Sequence, residues 1–375
     1  MFLYRYYIYY FNNRMSIYHQ HSCLDFFAGS GLVSYALREH FVTLWANDIS
    51  PQKARVFRAN HSKTPFELED IAKISGSRLP KTVLSWGSFP CQDLSLAGKM
   101  SGLDGERSGL FYEWIRVMDE MPTPPPIAVA ENVSGLVSAA GGDNYRRIHH
   151  ELVKRGYHVG AVMLDASDWL PQSRKRVFVI AVNSSIDIST FISSKPSWCH
   201  PYPIQKVAKG LDGWVWWNLP RPTQRKIDLN DIIDWDAPYD DEKRCEHILS
   251  LLALPVKERI IAESKGKRLA FPAYKRTRNH KQVLEVRFDG IAGCLRTPNG
   301  GSSRQNIVIA DGGVLRTRLL TVREAARLMG APDSYELPGN YNDGYRAMGD
   351  AVAVPVASFL AKELLAPLAD RRMGL

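Results

Sequence analysis

The stretch Cys23-Leu24-Asp25-Phe26-Phe27-Ala28-Gly29-Ser30-Gly31-Leu32 predicts a strand that runs through a glycine-rich turn into a helix. The residues up to Phe27 are mostly apolar, as in a short buried strand, and Leu32, Tyr35 and Ala36 recur at helical spacing. Glycines in such a turn let the backbone approach a ligand closely. The stretch therefore predicts the first strand–helix unit of an α/β sheet, although such a turn alone can serve NAD, FAD, phosphates or no ligand. Together with the acids Asp48 and Asp70 further along the chain, it supports a nucleotide-like cofactor without choosing one.

Further apolar runs, several rich in β-branched residues, repeat this pattern along the chain. Strands separated by helical stretches predict βαβ units and a mostly parallel sheet. We therefore expect an α/β fold with a mostly parallel, Rossmann-like sheet and a smaller irregular lobe. The predicted strands are Cys23–Phe27, Val42–Ala46, Val83–Trp86, Ile127–Ala130, Val159–Leu164 and Val177–Val182.

The sequence pattern changes after Asn183. The hydrophobic periodicity weakens there, and tryptophans cluster at positions 214, 216 and 217. Thr321 and Glu324 then form a capping-box pattern, which predicts a helix start. We expect four parts: an N-terminal extension outside the active protein (1–20, with Met1 or Met15 as the start), a catalytic cofactor-binding domain (21–182), a second lobe (183–335) and a segment that returns to the first domain (336–375).

Composition favours a soluble protein with a polyanionic partner. The 375 residues carry a formal net charge of +9, and 45% of them are hydrophobic. Five scattered cysteines without CxxC spacing argue against a disulfide framework or structural zinc, and no metal is expected. The aromatic run at residues 1–11 is too short to span a bilayer. We expect a cytoplasmic protein of a bacterium or a phage, without membrane association.

A second informative stretch is Gly87-Ser88-Phe89-Pro90-Cys91-Gln92, which places a cysteine directly behind an apolar strand. Pro90 fixes its own φ and disfavours helical geometry at Phe89, so the thiol is offered at a strand end. Ligands bind at such strand ends in open α/β sheets. A lone cysteine is more often a small buried hydrophobe, and this stretch alone does not decide between the two readings.

The order of the motifs decides between them. Asp25–Gly31 precedes the cysteine, Glu131-Asn132-Val133 and Gln172-Ser173-Arg174-Lys175-Arg176 follow it, and Gly349-Asp350-Ala351-Val352 lies near the C-terminus. This series resembles the DNA (cytosine-5)-methyltransferase family, and the resemblance covers roughly residues 23–182 and 316–362. It implies a sheet of the S-adenosylmethionine-dependent methyltransferase type and makes the second lobe a target-recognition domain.

The resemblance implies S-adenosylmethionine as the cofactor, with the glycine-rich turn and the ends of neighbouring strands around it. One position departs from the family, since Asp350 stands where asparagine is usual. An acid there loses a donor and adds negative charge near the pocket. The implied cofactor residues are Phe27, Ala28, Gly29, Ser30, Gly31, Leu32, Asp48, Ile49, Asp70, Ile71, Pro90, Leu110, Asp350 and Val352.

The implied chemistry is covalent and requires the target base to leave the duplex stack. The Cys91 thiolate adds to C6 of cytosine and thereby activates C5, while Glu131 stabilises the ring at N3. The resemblance places Arg176 at cytosine O2 and Glu131, and it makes Gln172 and Arg174 structural or DNA-proximal. The two arginines lie on the same face of an extended segment. The expected catalytic residues are thus Cys91, Glu131, Arg174 and Arg176.

Double-stranded DNA is the expected partner, a cognate restriction endonuclease is a functional partner, and a monomer is expected. Arginine can read guanine, and Ser side chains bind phosphates. The DNA-contact candidates are Gln92, Ser95, Gln172, Lys275, Arg276, Arg278, Arg296, Ser302, Ser303 and Arg304. Two alternatives stay open at this point: a tRNA cytosine-5 methyltransferase of the same fold, and a DNA-binding relative that has lost turnover.

Overall fold

The structure is a computed structural model, and it describes residues 20–90, 109–296 and 304–372. The predictions for the N-terminal extension, Cys91, Gln92, Ser95, Ser302 and Ser303 therefore lie outside the described residues, apart from Gln20. The strands are β1 His21–Phe26, β2 Phe41–Asp48, β3 Phe66–Leu68, β4 Leu84–Gly87, β5 Ile127–Val133, β6 Tyr157–Asp165, β7 Lys175–Asn183, β8 Ile192–Ser193, β9 Trp216–Trp217, β10 Leu269–Arg278, β11 Lys281–Val286, β12 Asn306–Asp311 and β13 Val314–Leu319.

The helices cover the faces of the large sheet and support the smaller one. They are α1 Leu32–Leu37, α2 Pro51–Asn60, α3 Leu110–Glu120, α4 Gly135–Ser138, α5 Asp143–Lys154, α6 Tyr202–Ala208, α7 Leu229–Ile232, α8 Glu242–Ser250, α9 Leu254–Ser264, α10 Val322–Leu328, α11 Tyr341–Asp350, α12 Val354–Leu360 and α13 Ala366–Arg372.

Seven strands form the large sheet in the order β3-β2-β1-β4-β5-β7-β6. The pairs among β1 to β5 are parallel, whereas β7 runs antiparallel to both β5 and β6. The α/β fold and its mostly parallel sheet are thus confirmed, and all six predicted strands are present. The central strands are buried on both faces, which explains their continuous apolar runs.

The chain order places a crevice at one edge of this sheet. From β1 the chain moves outward to β2 and β3, and it then crosses back to β4 and β5 on the other side. In open α/β sheets the ligand lies outside the carboxyl ends of the strands where the order reverses, here between β1 and β4. The antiparallel β7 begins at the same edge, because Arg176 pairs with Val133 at the end of β5.

A second, antiparallel sheet of four strands has the order β11-β10-β12-β13. It packs on α8 and α9 through a separate core that includes Ile248, Ile260 and Phe271. A two-residue turn, Asn279-His280, joins β10 to β11 with φ values of 47° and 62°, as in a type I′ hairpin. This sheet lies within the predicted second lobe.

The tryptophan cluster packs on the large sheet. Trp214 bridges to Val159 of β6, and the indole of Trp217 donates to the Ile180 carbonyl of β7 at 3.3 Å. Trp217 is fully buried. The part of the chain that follows β7 therefore first extends the hydrophobic core of the large sheet.

The C-terminal helices return to the beginning of the large sheet. Ser358 of α12 donates to the Ala36 carbonyl of α1 at 2.9 Å, and Nε2 of His21 lies 2.7 Å from Oδ1 of Asp370. Within the described residues, Tyr341–Arg371 is the one stretch long and apolar enough to cross a membrane, but 61% of its apolar window is buried in the protein. That burial is typical of a core helix.

The predicted capping box at Thr321 is present and contains a buried ion pair. Thr321 accepts from the Glu324 N–H, and Glu324 accepts in return from the Thr321 N–H. Both oxygens of Glu324 also accept from Arg318, at 2.6 and 2.7 Å, and neither side chain is more than 3% exposed. Two carboxylate–guanidinium bonds thus tie β13 to α10.

We expect Glu324→Gln to lower the free energy of unfolding by about 3–5 kcal/mol, because it leaves the buried Arg318 charge uncompensated. Chemical denaturation measures the loss. Glu363→Gln is the control, since its partner Lys362 is exposed, and it should change stability by less than about 1 kcal/mol. A Glu324→Gln variant as stable as this control would contradict the prediction.

Asp25 gives a second stability prediction. Its side chain is fully buried in β1, and burial raises its pKa from 3.8 to about 7, although the Ser34 hydroxyl donates to it at 2.6 Å. A carboxyl whose pKa is raised by folding stabilises the protein fully below its unfolded pKa, and this stabilisation is lost as the pH rises towards 7.

We therefore expect the free energy of unfolding to fall between pH 4 and 7 more steeply in the wild type than in Asp25→Asn, which does not titrate. Denaturation at a series of pH values measures both slopes. Asp143→Asn, at an exposed carboxylate, should keep the wild-type slope. Equal slopes in the wild type and Asp25→Asn would show that Asp25 does not cause the pH dependence.

Candidate active site

The glycine-rich turn after β1 forms an open cradle at the crevice. Phe27, Gly29 and Gly31 all have positive φ, at 55°, 57° and 85°. A Cβ added at Gly31 would lie 2.6 Å from the His61 ring, whereas one at Gly29 would meet nothing closer than 3.9 Å. The backbone at Gly29 is therefore open to a ligand, and Gly31 lacks a side chain because α2 and its C-terminal histidine approach closely.

The acidic residue at the end of β2 fixes this turn. The two oxygens of Asp48 accept from the Gly29 N–H at 3.0 Å and the Ser50 N–H at 2.8 Å. Each carboxylate oxygen keeps a further lone pair for a ligand hydroxyl. Ile49, the next residue, is 66% exposed, which is unusual for a large apolar side chain beside a crevice. Both features fit a ligand with a diol and a flat apolar face.

The other predicted cofactor residues lie around the same edge. Asp70 caps a short 3₁₀ turn by accepting from the Ala72 N–H at 3.0 Å, and Ile71 behind it is buried. The side chains of Ala28, Ser30, Leu32 and Val352 are also buried, whereas Phe27, Pro90 and Leu110 are half-buried. For the buried residues, only the backbone or the edge of the side chain can reach a ligand.

The segment around Asp350 is tied to the turn from the far end of the chain. Ser30 donates to the Ala347 carbonyl at 3.1 Å, and Arg174 donates to the carbonyls of Gly349 and Ala351 at 2.9 and 2.6 Å. Asp350 itself pairs with Lys53 of α2 at 2.8 Å. Sequence reasoning missed Lys53, because no local pattern marks it.

On the other side of the crevice, Glu131 near the end of β5 faces Arg176 at the start of β7. Nε of Arg176 lies 3.2 Å from Oε1 of Glu131, and both side chains are largely buried. The next residue, Asn132, donates to the Phe89 carbonyl at 3.2 Å. Because Phe89 lies two residues before Cys91, this bond ties the end of β5 to the segment that leads to the cysteine.

Burial raises the pKa of Glu131, against the opposing effect of the Arg176 and Arg174 guanidinium groups and a hydrogen bond from Ser88. A raised pKa gives a carboxyl a larger protonated fraction near neutrality. Glu131 can therefore act as a proton or hydrogen-bond donor to a ring nitrogen, as general acid catalysis requires.

Arg174 differs from Arg176 in its surroundings. It is 2% exposed, and in addition to its two bonds to the 349–351 segment it donates to the Leu295 carbonyl at 3.2 Å and to Sγ of Cys294 at 3.4 Å. Although the alternation places both arginines on one side, Arg174 is engaged in internal bonds. These bonds give Arg174 the structural role that the resemblance implies for it, and its direct part in catalysis stays a prediction.

Gln172 is likewise internal. Its side chain has no exposed surface, its Nε2 donates to the Leu328 carbonyl at 2.7 Å, and its Oε1 accepts from the Leu295 N–H at 3.1 Å. A fully buried, bonded amide fits the structural role that the resemblance allows for Gln172, and its contact with DNA stays a prediction. The burial of Gln172 could not be predicted from the sequence, because the 172–176 segment is entirely polar.

A strap from the second lobe, residues 292–295, runs beside the 171–174 segment. The Ala292 N–H donates to the Pro171 carbonyl at 2.7 Å, and the Ser173 N–H donates to the Ala292 carbonyl at 2.8 Å. Sγ of Cys294 lies 3.9 Å from Nη2 of Arg176. Burial raises the pKa of Cys294, but the guanidinium groups of Arg174 and Arg176 outweigh it, and the net pKa is lowered. Sequence reasoning missed this second thiol.

The remaining DNA-contact candidates divide into two groups. Arg276 and Arg278 lie on β10, where both pair with Glu285 of β11 at 3.9 and 2.6 Å, and Lys275 is beside them. Arg296 is exposed directly after the strap, and Arg304 stacks over the Tyr341 ring and bonds to Asn342. The structure thus places Arg296 directly after the strap that runs beside residues 171–174, and the β10 residues on the β10–β11 hairpin.

Comparisons with known proteins show the family to which the chain belongs. The profile of the family described as C-5 cytosine-specific DNA methylase matches residues 21–366. The chain is 27% identical to Type II methyltransferase M.FnuDI of Fusobacterium nucleatum over 360 residues, which are 93% of this chain and 95% of the relative. It is 24% identical to M.HhaI of Haemophilus parahaemolyticus, with 90% of this chain and 92% of the relative covered.

Solved structures show the same fold at low sequence identity. A Dnmt2 methyltransferase from S. pombe aligns with a TM-score of 0.60 and 20% identity, covering 93% of this chain and 99% of that one. A DNA modification methyltransferase encoded within an E. coli prophage, described as putative, aligns with a TM-score of 0.54 and 19% identity, over 92% and 98% of the two chains. With the family profile spanning nearly all of its length, the chain belongs to the C-5 cytosine-specific DNA methylase family and is a DNA cytosine methyltransferase.

Proposed function

We propose that this protein transfers a methyl group from S-adenosylmethionine to C5 of cytosine in a specific sequence of duplex DNA, as part of a bacterial or phage restriction–modification system. The main support for this proposal is the buried Glu131–Arg176 pair at the carboxyl end of β5, beside the strand that leads to Cys91. The Type II names of the relatives support the restriction–modification context.

Two parts of the crevice have separate tasks in this proposal. The turn at Gly29, the Asp48 carboxylate and exposed Ile49 hold the cofactor, which supplies an electrophilic methyl group when bound. Glu131 and Arg176 hold the cytosine ring, which must be extruded from the duplex to reach them. The Arg176 guanidinium donates to an oxygen of the base and keeps Glu131 oriented.

The proposed reaction adds a thiolate to the base and later eliminates it. The Cys91 thiolate forms a bond to C6, and the electron pair of the C5–C6 double bond attacks the methyl carbon, whose bond to sulfur breaks. A proton from Glu131 or a hydrogen bond from it to N3 stabilises the activated ring. A base in solution then removes the C5 proton, the double bond re-forms, the Cys91 thiolate leaves, and a proton delivered to N3 returns to Glu131.

We expect Glu131→Gln to lower methyl transfer to duplex DNA by at least about a hundredfold, because an amide cannot deliver a proton to N3. Transfer of a labelled methyl group measures it. Wild-type activity should also fall as the pH rises through the raised pKa of Glu131, because the carboxyl then loses its proton. The residual activity of the variant should not show this decrease with pH. Glu151→Gln is a matched control, since Glu151 pairs with Arg155 at 2.6 Å in α5. If Glu131→Gln and Glu151→Gln lost methyl transfer activity equally, the proposed role of Glu131 as a proton donor would be contradicted.

A trapping experiment tests Cys91. In the presence of S-adenosylmethionine, an oligonucleotide duplex with 5-fluorocytosine at the target should form a stable adduct with the wild type, since fluorine replaces the C5 proton whose removal would release the thiolate. Cys91→Ser should bind DNA but form no adduct and transfer no methyl group.

Cys294→Ser is the control for this experiment, because the lowered pKa of Cys294 makes it the competing nucleophile. Mass spectrometry of the adduct should still locate it on Cys91. An adduct on Cys294, or full activity in Cys91→Ser, would overturn the mechanism. Equal labelling of tRNA and duplex DNA by the wild type would overturn the choice of substrate.

A further inference from the structure

The ion pair between Lys53 and Asp350 joins two parts of the chain at the rim of the cofactor crevice. Nζ of Lys53 lies 2.8 Å from Oδ2 of Asp350, and the two side chains are 23% and 41% exposed. Lys53 belongs to the first turn of α2, just after the end of β2, whereas Asp350 is the last residue of α11. Asp350 is also the position where the family usually has asparagine, so the acid that departs from the family has a cationic partner here.

The stem of Lys53 passes over the open part of the glycine-rich turn. Its Cδ is 3.9 Å from where a Cβ would stand on Gly29, the residue whose N–H donates to Asp48. Burial lowers the pKa of Lys53, but the charges of Asp350 and Asp48 outweigh that effect and raise it, so Lys53 stays protonated. The rim thus carries two carboxylates and one ammonium group, and the buried Arg174 guanidinium lies behind it at the carbonyls of Gly349 and Ala351.

We propose that Lys53 is a cofactor-site residue that offsets the Asp350 carboxylate and thereby sets how strongly the pocket distinguishes the methyl donor from the demethylated product. This inference rests on the proposed function. The donor is a sulfonium cation, whereas the product is a neutral thioether, so the two differ by one positive charge. A net charge of −1 from Asp48, Asp350 and Lys53 favours the donor, and each variant of the pair changes that net charge by one unit.

The charge argument predicts shifts of opposite sign for the two partners. Lys53→Gln makes the rim more negative, and the ratio of the product Kd to the donor Kd should rise roughly threefold to tenfold. Asp350→Asn makes the rim less negative, and the ratio should fall by a similar factor. The double variant restores the wild-type net charge and should restore the ratio.

The same two helices offer a matched control. Nη2 of Arg55 in α2, two residues after Lys53, pairs with Oδ2 of Asp343 in α11 at 3.2 Å. Arg55→Gln removes a cation and an α2–α11 ion pair, as Lys53→Gln does, but Arg55 is 58% exposed and not among the groups at the Gly29 turn. It should leave the ratio of the two dissociation constants unchanged.

The test is calorimetric titration of each full-length protein with S-adenosylmethionine and with S-adenosylhomocysteine, without DNA. The shifts should shrink at high salt, because the pair is partly exposed. The inference would be overturned if Lys53→Gln and Asp350→Asn moved the ratio of the two dissociation constants in the same direction. It would also be overturned if Arg55→Gln moved the ratio as much as Lys53→Gln, since Lys53 would then only hold α2 against α11. A wild type that binds neither compound would instead overturn the proposed function.

Discussion

The guanidinium group of Arg174 holds three distant parts of the chain at one point. It begins in the segment that enters β7, and its bonds reach the strap at Cys294 and Leu295 and the carbonyls of Gly349 and Ala351. A buried guanidinium needs several acceptors to offset its desolvation, and backbone carbonyls from separate segments provide them. The positions of the strap, the cofactor rim and the Glu131–Arg176 pair therefore depend on one another.

The direction of β7 makes this arrangement available. A parallel strand beside β5 would begin at the opposite edge of the sheet, far from the crevice. Because β7 is antiparallel, its first residues lie at the carboxyl end of β5, and Arg176 stands beside Val133. Side chains at the start of one strand and the end of its neighbour thus meet, and an acid near the end of β5 obtains a cationic partner without a long loop.

Local patterns were enough to predict much of the fold. The strands, the glycine-rich turn and the Thr321 capping box each depend on residues near one another in the sequence, and all are present. Glu131 and Arg176 were predicted together from the family resemblance, and the structure brings them into contact, while their roles stay predictions. The direction of β7 could not be predicted, since an apolar run has the same periodicity in either direction. Neither could the burial of Gln172 or the partner of Asp350, because both depend on contacts between segments far apart in the sequence.

The contact between His21 and Asp370 places the first strand of the large sheet against the last helix. Because these two elements are in contact, either one could come first in the sequence and still pack in the same way. A gene rearranged so that α11 to α13 precede β1, with a short connecting peptide at this contact, would encode the same core. In this fold the order of the elements along the chain can change while their arrangement in space stays the same.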